Sequence, residues 1–338
     1  MIKTYLGERK KALFLATSFQ PLKNALVFIN FIQSRHEPWA LDLTVHGLGD
    51  SHSTWTVDDT LWLRDLLPRL PSFQSARVMT FGYDARSFLR SLSLSLHGRT
   101  FTFAEALLND LEDKRFSIAD KNRPIIFIGH SLGGLVVKSA LRHANERRSL
   151  YGTISSSTRA ILFFGTPHQG CDVAAYLSGL GKAILLKNTE VVDELARWSA
   201  PLVELTTAFS EIAPRYNITT FFEQRPTNGV IIVPEASARM GQGNERVRGL
   251  DADHLSLCRF TGADGTWNMV ANRLEAVADN IRNDMAGEEA KPQDNELLKL
   301  TLKLNLIFVF QSKVDDQFLD VNWPLKRCVP ALEAWMEA

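Results

Sequence analysis

The sequence predicts an α/β fold with a mostly parallel central sheet and helices on both faces. Three observations carry that prediction. From residue 42 onward, strand-like and helix-like segments alternate along the chain. Two strand-length runs, Ile125–Ile128 and Ile161–Phe164, are apolar throughout, as strands covered on both faces must be. The first of these runs passes through Gly129-His130-Ser131-Leu132-Gly133-Gly134 directly into a helical pattern.

The elements follow in order. Leu41–Val45 reads as a short strand ending in His46-Gly47-Leu48-Gly49. Thr60–Leu67 reads as a helix stopped by Pro68. Ala76–Tyr83 is strand-like. Phe101–Arg115 places apolar residues at 103, 104, 107, 108 and 111, the helical spacing. After the strand Pro124–Gly129, Leu132–Arg147 is a helix with Leu135, Val136, Ser139, Ala140 and His143 along one face. Ala160–Phe164 is a strand ending in Gly165-Thr166-Pro167. Residues 172–212 are mixed and mostly helical. Ile218–Phe222 and Val230–Val233 read as two strands separated by the turn residues Pro226-Thr227-Asn228-Gly229. Residues 266–285 form a closing helix.

These segments divide the chain into an extension at 1–41, one α/β domain at 42–285, a polar linker at 286–296 and a tail at 297–338. In the tail, apolar residues from Leu298 to Phe310 alternate with Lys299, Thr301, Lys303 and Asn305. Period two suits an added strand or an apolar contact with a membrane surface. The N-terminal extension reads first as an element of the fold, then as a poor targeting peptide and last as a gene-model error, and the tail as an added edge strand or a mis-spliced end.

Composition narrows the function. The 338 residues carry 38 Lys plus Arg and 38 Asp plus Glu, so the formal net charge is zero. That balance speaks against a nucleic-acid partner, which calls for a basic excess. Three widely spaced cysteines, Cys171, Cys258 and Cys328, make neither a disulfide framework nor a zinc motif and fit a reducing compartment. No apolar run reaches the ~18 residues of a membrane-spanning helix. Ala12–Ala16, behind Lys3, Arg9, Lys10 and Lys11, falls short of a signal-peptide core.

The chemistry centres on Ser131. A serine in G-x-S-x-G between a buried strand and a helix sits on a sharp elbow that lifts its hydroxyl clear of the sheet. The helix start behind it favours developing negative charge. A base is then required. His254, in Leu250-Asp251-Ala252-Asp253-His254 beyond the last predicted strand, has the chain position of the histidine in a nucleophile–acid–histidine order. The acid belongs after Ile218–Phe222. Glu223 stands there, with Glu235 as the alternative. Asp251 and Asp253 lie close to His254 in sequence and read as loop caps. The oxyanion requires two backbone donors. The Leu132 amide is one, and the Leu48 amide, on the glycine-rich loop after the first strand, is the other. Of the remaining histidines, His46 and His130 read as packing beside the site and His168 as a pocket residue. His36, His52, His97 and His143 read as solvent or loop positions. No metal or cofactor is called for.

The blocks VHGLGD (45–50), RVMTFGYDA (77–85), PIIFIGHSLGGLVVKSAL (124–141), ILFFGTPHQG (161–170) and LDADHLSLCRF (250–260) resemble the α/β-hydrolase superfamily. Within it they are similar to the lipase-like serine esterase group, which includes the SERAC1-type proteins and the hydrolase modules of fungal NACHT and repeat proteins. The resemblance implies an α/β-hydrolase fold and a serine ester hydrolase acting on small or lipid-like esters, with Ser131 and His254 in catalytic roles. It also implies an intracellular setting, cytoplasmic or at mitochondrial or endoplasmic-reticulum membranes. The competing class is a hydrolase-fold signalling or binding module without turnover, the effector domain of a larger protein. Residues 172–212, with Ala174, Leu177, Leu180 and Ile184–Leu186, read as a cap over an acyl-binding cleft. A phosphate-loop reading of Gly179-Leu180-Gly181-Lys182 fails, because Tyr176 and Ala183 stand where glycine and Ser or Thr are required.

Overall fold

The computed structural model describes residues 25–28, 40–47, 53–84, 96–115, 117–172 and 199–290. The chain divides into two units, Met1–Ile281 and Arg282–Ala338, and every feature below lies in the first unless stated. Among the described residues, seven strands form one sheet: β1 (Ala25–Phe28), β2 (Leu41–Val45), β3 (Arg77–Gly82), β4 (Ile125–His130), β5 (Thr158–Phe164), β6 (Asn217–Glu223) and β7 (Glu245–Leu250). Their spatial order is β1-β3-β2-β4-β5-β6-β7. Only β1 is antiparallel, paired with β3 from Ala25 opposite Gly82 to Phe28 opposite Met79. All other pairings are parallel.

Strand β2 lies between β3 and β4, so the chain changes direction across the sheet at β2. Open α/β sheets place ligands at the carboxyl ends beside such a switch point. The carboxyl end of β2 leads into His46 and Gly47, and its neighbour β4 leads into Ser131.

Alternation along the strands assigns the two faces. Leu43, Val45, Met79, Phe81, Ile125, Phe127, Ile161, Phe163 and Ile218 join one core. That core is closed by α1 (Leu96–Lys114), α2 (Leu132–Glu146), α3 (Arg148–Ser157) and α4 (Ala200–Ser210), which supply Leu107, Leu135, Val136, Ile154 and Leu205. On the other face Phe164 stacks on Phe221 and meets Phe260, which packs with Trp62 and Trp267. Trp267 lies in α5 (Gly265–Ala290), whose Arg273 reaches back to Thr219 of β6.

Several elements differ from the sequence expectation, each for a local reason. Val230–Val233 is not a strand. It forms a loop with a single bridge between Thr227 and Val230, confined by the Asn228-Gly229 turn and Pro234, although Ile232 and Val233 are buried. The last strand is β7, a charged edge strand in which Arg246 and Arg248 face solvent, so its apolar signal is faint. The helix expected over Thr60–Leu67 shrinks to Trp62–Asp65. Thr60 and Leu61 pair with Thr56 and Val57 in a small hairpin, and Pro68 lies in a following 3-10 turn. Helix α3 continues where one helix was expected to end. The sheet takes in β1 from the 1–41 extension, and α5 runs through the first part of the expected 286–296 linker to Ala290. The tail from 297 and most of the cap region lie outside the described residues.

Helix α2 crosses the strand ends at glycine distance. A Cβ on Gly133 would lie 2.2 Å from the Val45 carbonyl oxygen, and one on Gly134 would lie 2.1 Å from Thr166 Oγ1. The backbone of β2 cannot step aside, so Gly133→Ala is expected to cost about 1–3 kcal/mol, read as a lower urea midpoint. Gly152, inside α3, would meet nothing closer than Arg148 Cβ at 3.5 Å. Gly152→Ala is therefore expected to stabilise by roughly 0.4–1 kcal/mol in the same measurement.

Candidate active site

The carboxyl ends of β2, β4, β5 and β6 converge with the loop after β7. Ser131 occupies the elbow between β4 and α2 with φ 54° and ψ −127°, outside the regions an L-residue favours. Three features hold it there. Its amide donates to the Phe164 carbonyl at 2.8 Å. Gly47 packs so tightly that a Cβ there would lie 2.7 Å from Ser131 Cβ. Gly129 and Gly134 pass so closely that a Cβ on Gly129 would lie 2.8 Å from Gly134 Cα.

His254 comes to Ser131 from the loop after β7, with Nε2 3.0 Å from Ser131 Oγ. On its other side Nδ1 lies 2.8 Å from Glu223 Oε2. A carboxylate only accepts, so Nδ1 carries the proton and donates to Glu223. Nε2 is then the lone-pair nitrogen that accepts from the serine hydroxyl. His254 and Glu223 are buried, at 0% and 2% exposure, so their hydrogen bonds form away from competing water. The Val233 amide donates to Glu223 Oε1 at 2.7 Å, and the His254 amide donates to Thr227 Oγ1 at 3.0 Å. Gly165, at φ +54°, lies against the His254 ring, where a Cβ would come within 3.0 Å of Nδ1 and Cε1.

Of the two acids weighed from the sequence, the structure brings Glu223 to His254 and not Glu235. Glu235 begins the short helix Glu235–Ala238, half exposed, and pairs with Arg239 one turn on. Its expected position depended on a strand at Val230–Val233 that does not form. Asp253 caps its own loop by accepting from the Leu255 and Ser256 amides, and Asp251 pairs with Arg225 on the surface. Leu132 opens α2 directly behind Ser131, and the first amides of a helix have no partner inside it. Leu48 lies outside the described residues.

The other described histidines sit in distinct settings. His46 Nε2 accepts from the Tyr83 amide at 3.2 Å, so Nδ1 carries the proton and donates to the Gly47 carbonyl at 2.8 Å. His143, expected at the surface, is buried between Phe101 and Tyr151. His36, His52 and the His97 side chain are outside the described residues. His168, expected to line a pocket, is buried beside a lysine that the sequence reading passed over. Lys138, in α2, is fully buried. Its Nζ donates to Thr206 Oγ1 at 3.0 Å, lies 3.4 Å from His168 Nδ1, and sits 5.5 Å over the Phe209 ring. Burial pushes Lys138 down to about 7. Burial, with the lysine charge adding to it, holds His168 well below the usual histidine range. A lysine seven positions after the serine, on the apolar side of the helix, was the available signal.

Among the described residues, no group of three or more His, Cys, Asp or Glu side chains is placed to hold a metal ion. Among those residues, too, no helix is long and apolar enough to cross a membrane.

A sheet of this order with a serine elbow and a histidine loop at its carboxyl edge defines a class of protein. The chain belongs to the alpha/beta hydrolase family, whose model matches residues 43–282. Its curated relatives include Protein SERAC1 of Danio rerio, 33% identical over 249 residues, covering 64% of this chain and 36% of the relative. Protein SERAC1 of Mus musculus is 28% identical over 279 residues, covering 79% and 40%. The chain thus spans about two fifths of the length of these relatives. Among solved structures, mature Bacillus licheniformis lipase BlEst2 superposes with a TM-score of 0.53 at 16% identity, covering 75% of this chain and 99% of that one.

The buried lysine yields a pH prediction. Its folded pKa of about 7 lies below the ordinary 10.5, so between those values the unfolded chain binds more protons than the folded one. Lys138 therefore makes wild-type stability rise with pH across that window, by at most about 1.4 kcal/mol per pH unit. Lys138→Met removes this rise. Urea denaturation at about pH 7 and pH 9.5 should show the Met variant gaining on wild type at the lower pH and losing that advantage at the higher.

Proposed function

We propose that this protein is a serine hydrolase that cleaves carboxylic esters, lipid-like ones in particular, through an acyl-enzyme intermediate. The observation that carries the reading is the continuous hydrogen-bonded path from Ser131 Oγ through His254 to Glu223. Ser131 Oγ attacks the ester carbonyl carbon while its proton passes to His254 Nε2. Glu223 stays ionised and stabilises the imidazolium through its bond from Nδ1. The tetrahedral oxyanion takes hydrogen bonds from the Leu132 amide and from the Leu48 amide on the loop after β2. The C–O bond to the leaving alcohol breaks, and His254 returns the proton to the departing oxygen. Water, deprotonated by His254, then hydrolyses the acyl-serine ester and releases the acid. No step calls for a metal or cofactor.

The lipid-like class rests on the sequence resemblance. Contact with a membrane surface through residues 298–310 extends the same reading.

Two measurements test it. A fluorophosphonate probe is expected to label wild type and not Ser131→Ala; wild-type protein that stays unlabelled sinks the reading. Glu223→Gln is expected to lower kcat on an acyl ester by about 10²–10⁴-fold, because the amide no longer fixes the productive tautomer and charge of His254. Esters of graded chain length, with and without vesicles, report the acyl preference. Equal rates across the series would remove the lipid-like part.

A further inference from the structure

His130 precedes Ser131 and stands where three loops of the site meet. Its Nε2 lies 3.0 Å from the backbone oxygen of His254. A carbonyl oxygen only accepts, so Nε2 carries the proton and donates. The Nδ1 side faces the loop after β2, where a Cβ on Gly47 would lie 3.2 Å from that nitrogen. The ring is otherwise enclosed by the Trp55 edge and by the His254 ring, whose centroid is 5.1 Å away. One side chain therefore ties the backbone bearing Ser131 to the backbone bearing His254, across 124 residues of sequence.

We propose that His130 is a positioning residue: its Nε2–H bond to the His254 carbonyl sets the distance between the serine hydroxyl and the histidine that accepts its proton. The inference rests on the serine hydrolase reading above. The Ser131–His254 bond cannot set this distance itself, because it must break and re-form as the proton moves. The bond from His130 involves no reacting atom and persists through the cycle. A neutral ring supplies this donor without setting a second cation beside the His254 imidazolium. Burial first, and the neighbouring His254 second, push His130 down to about 3, so it stays neutral across the working range.

Two amides of different reach separate this role from simple packing. Glutamine places its amide nitrogen near the Nε2 position, while asparagine reaches only as far as Nδ1. His130→Gln is expected to keep kcat within about threefold of wild type, while His130→Asn and His130→Phe lose about tenfold to a hundredfold with KM nearly unchanged. Thermal midpoints of the Gln and Asn variants should be similar. Equal kcat for Gln and Asn, or a loss confined to KM, overturns the proposal. Nitrogen NMR of the wild-type imidazoles reads the bond without turnover. A His130 ring protonated at Nε2 and slow to exchange supports the proposal, and the Nδ1-protonated tautomer overturns it. Absence of Ser131-dependent turnover in wild type would instead defeat the hydrolase reading, while the NMR result still decides the clamp.

Discussion

The rest of the site depends on one close crossing. Helix α2 starts against the ends of β2 and β5 at a separation only glycine permits, at Gly133 beneath the Val45 and His46 carbonyls and at Gly134 against Thr166. That approach turns the chain so sharply after β4 that Ser131 adopts a positive φ. A strained residue of this kind costs about 1–3 kcal/mol. Burial of Leu132, Leu135, Val136, Val137, Ala140 and Leu141 along the same helix contributes roughly 1.5–3 kcal/mol for each of the larger side chains. The helix packing outweighs the strain several times over, so the elbow is held by the core and not by the site. The serine hydroxyl can then be presented without help from the groups that react with it.

The same core admits an unusual amount of polarity close to the elbow. Lys138, His168, His130, His46, Glu223 and His254 are all buried, and a buried polar group is costly unless it is paired. Each has a partner at hydrogen-bonding distance, and the partners lie on different elements. Lys138 links α2 to α4 through Thr206. His46 links the end of β2 to Tyr83 after β3. Glu223 links β6 to the loop before Glu235. The stabilisation from any one of these bonds is small, about 0.5–1.5 kcal/mol, but leaving one partner unmatched costs more. Such bonds add little net stability. They penalise every arrangement in which the strand ends are out of register, and so keep the loops at the carboxyl edge in one geometry.

This division explains what could be read from the sequence. The interior strands β4 and β5 are apolar on both faces, and the elbow depends on glycines at fixed spacing, so composition and spacing carry both signals directly. Ser131 and His254 follow from that frame and from chain order. Strand β7 sits at the sheet edge, where Arg246 and Arg248 face water and the apolar alternation that marks a strand is lost. The run Val230–Val233 has strand composition yet is a loop, because Ile232 and Val233 are buried by tertiary packing that local pattern does not encode. Lys138 and the bond that His130 makes are not legible for the opposite reason. Their roles depend on partners 30 to 124 residues away, and no local period reports such pairings.

The Val230–Val233 loop also explains how the Glu223 carboxylate is held towards His254. A carboxylate beside a histidine is useful only if its second oxygen is fixed, since otherwise the group rotates and the bond from Nδ1 weakens. Here Glu223 Oε1 is fixed by the Val233 amide. In a sheet strand, that amide would instead be directed towards a neighbouring strand's carbonyl. The loop between β6 and Glu235 leaves it available to the carboxylate, and its Thr227 hydroxyl holds the His254 amide from the same side. The apolar residues that imitate a strand, Ile232 and Val233, anchor this loop in the core so that its polar groups face the His254–Glu223 pair. Pairing that segment into the sheet would take away the donor that orients the Glu223 carboxylate. The loop conformation is thus the condition on which the pairing of Glu223 with His254 depends.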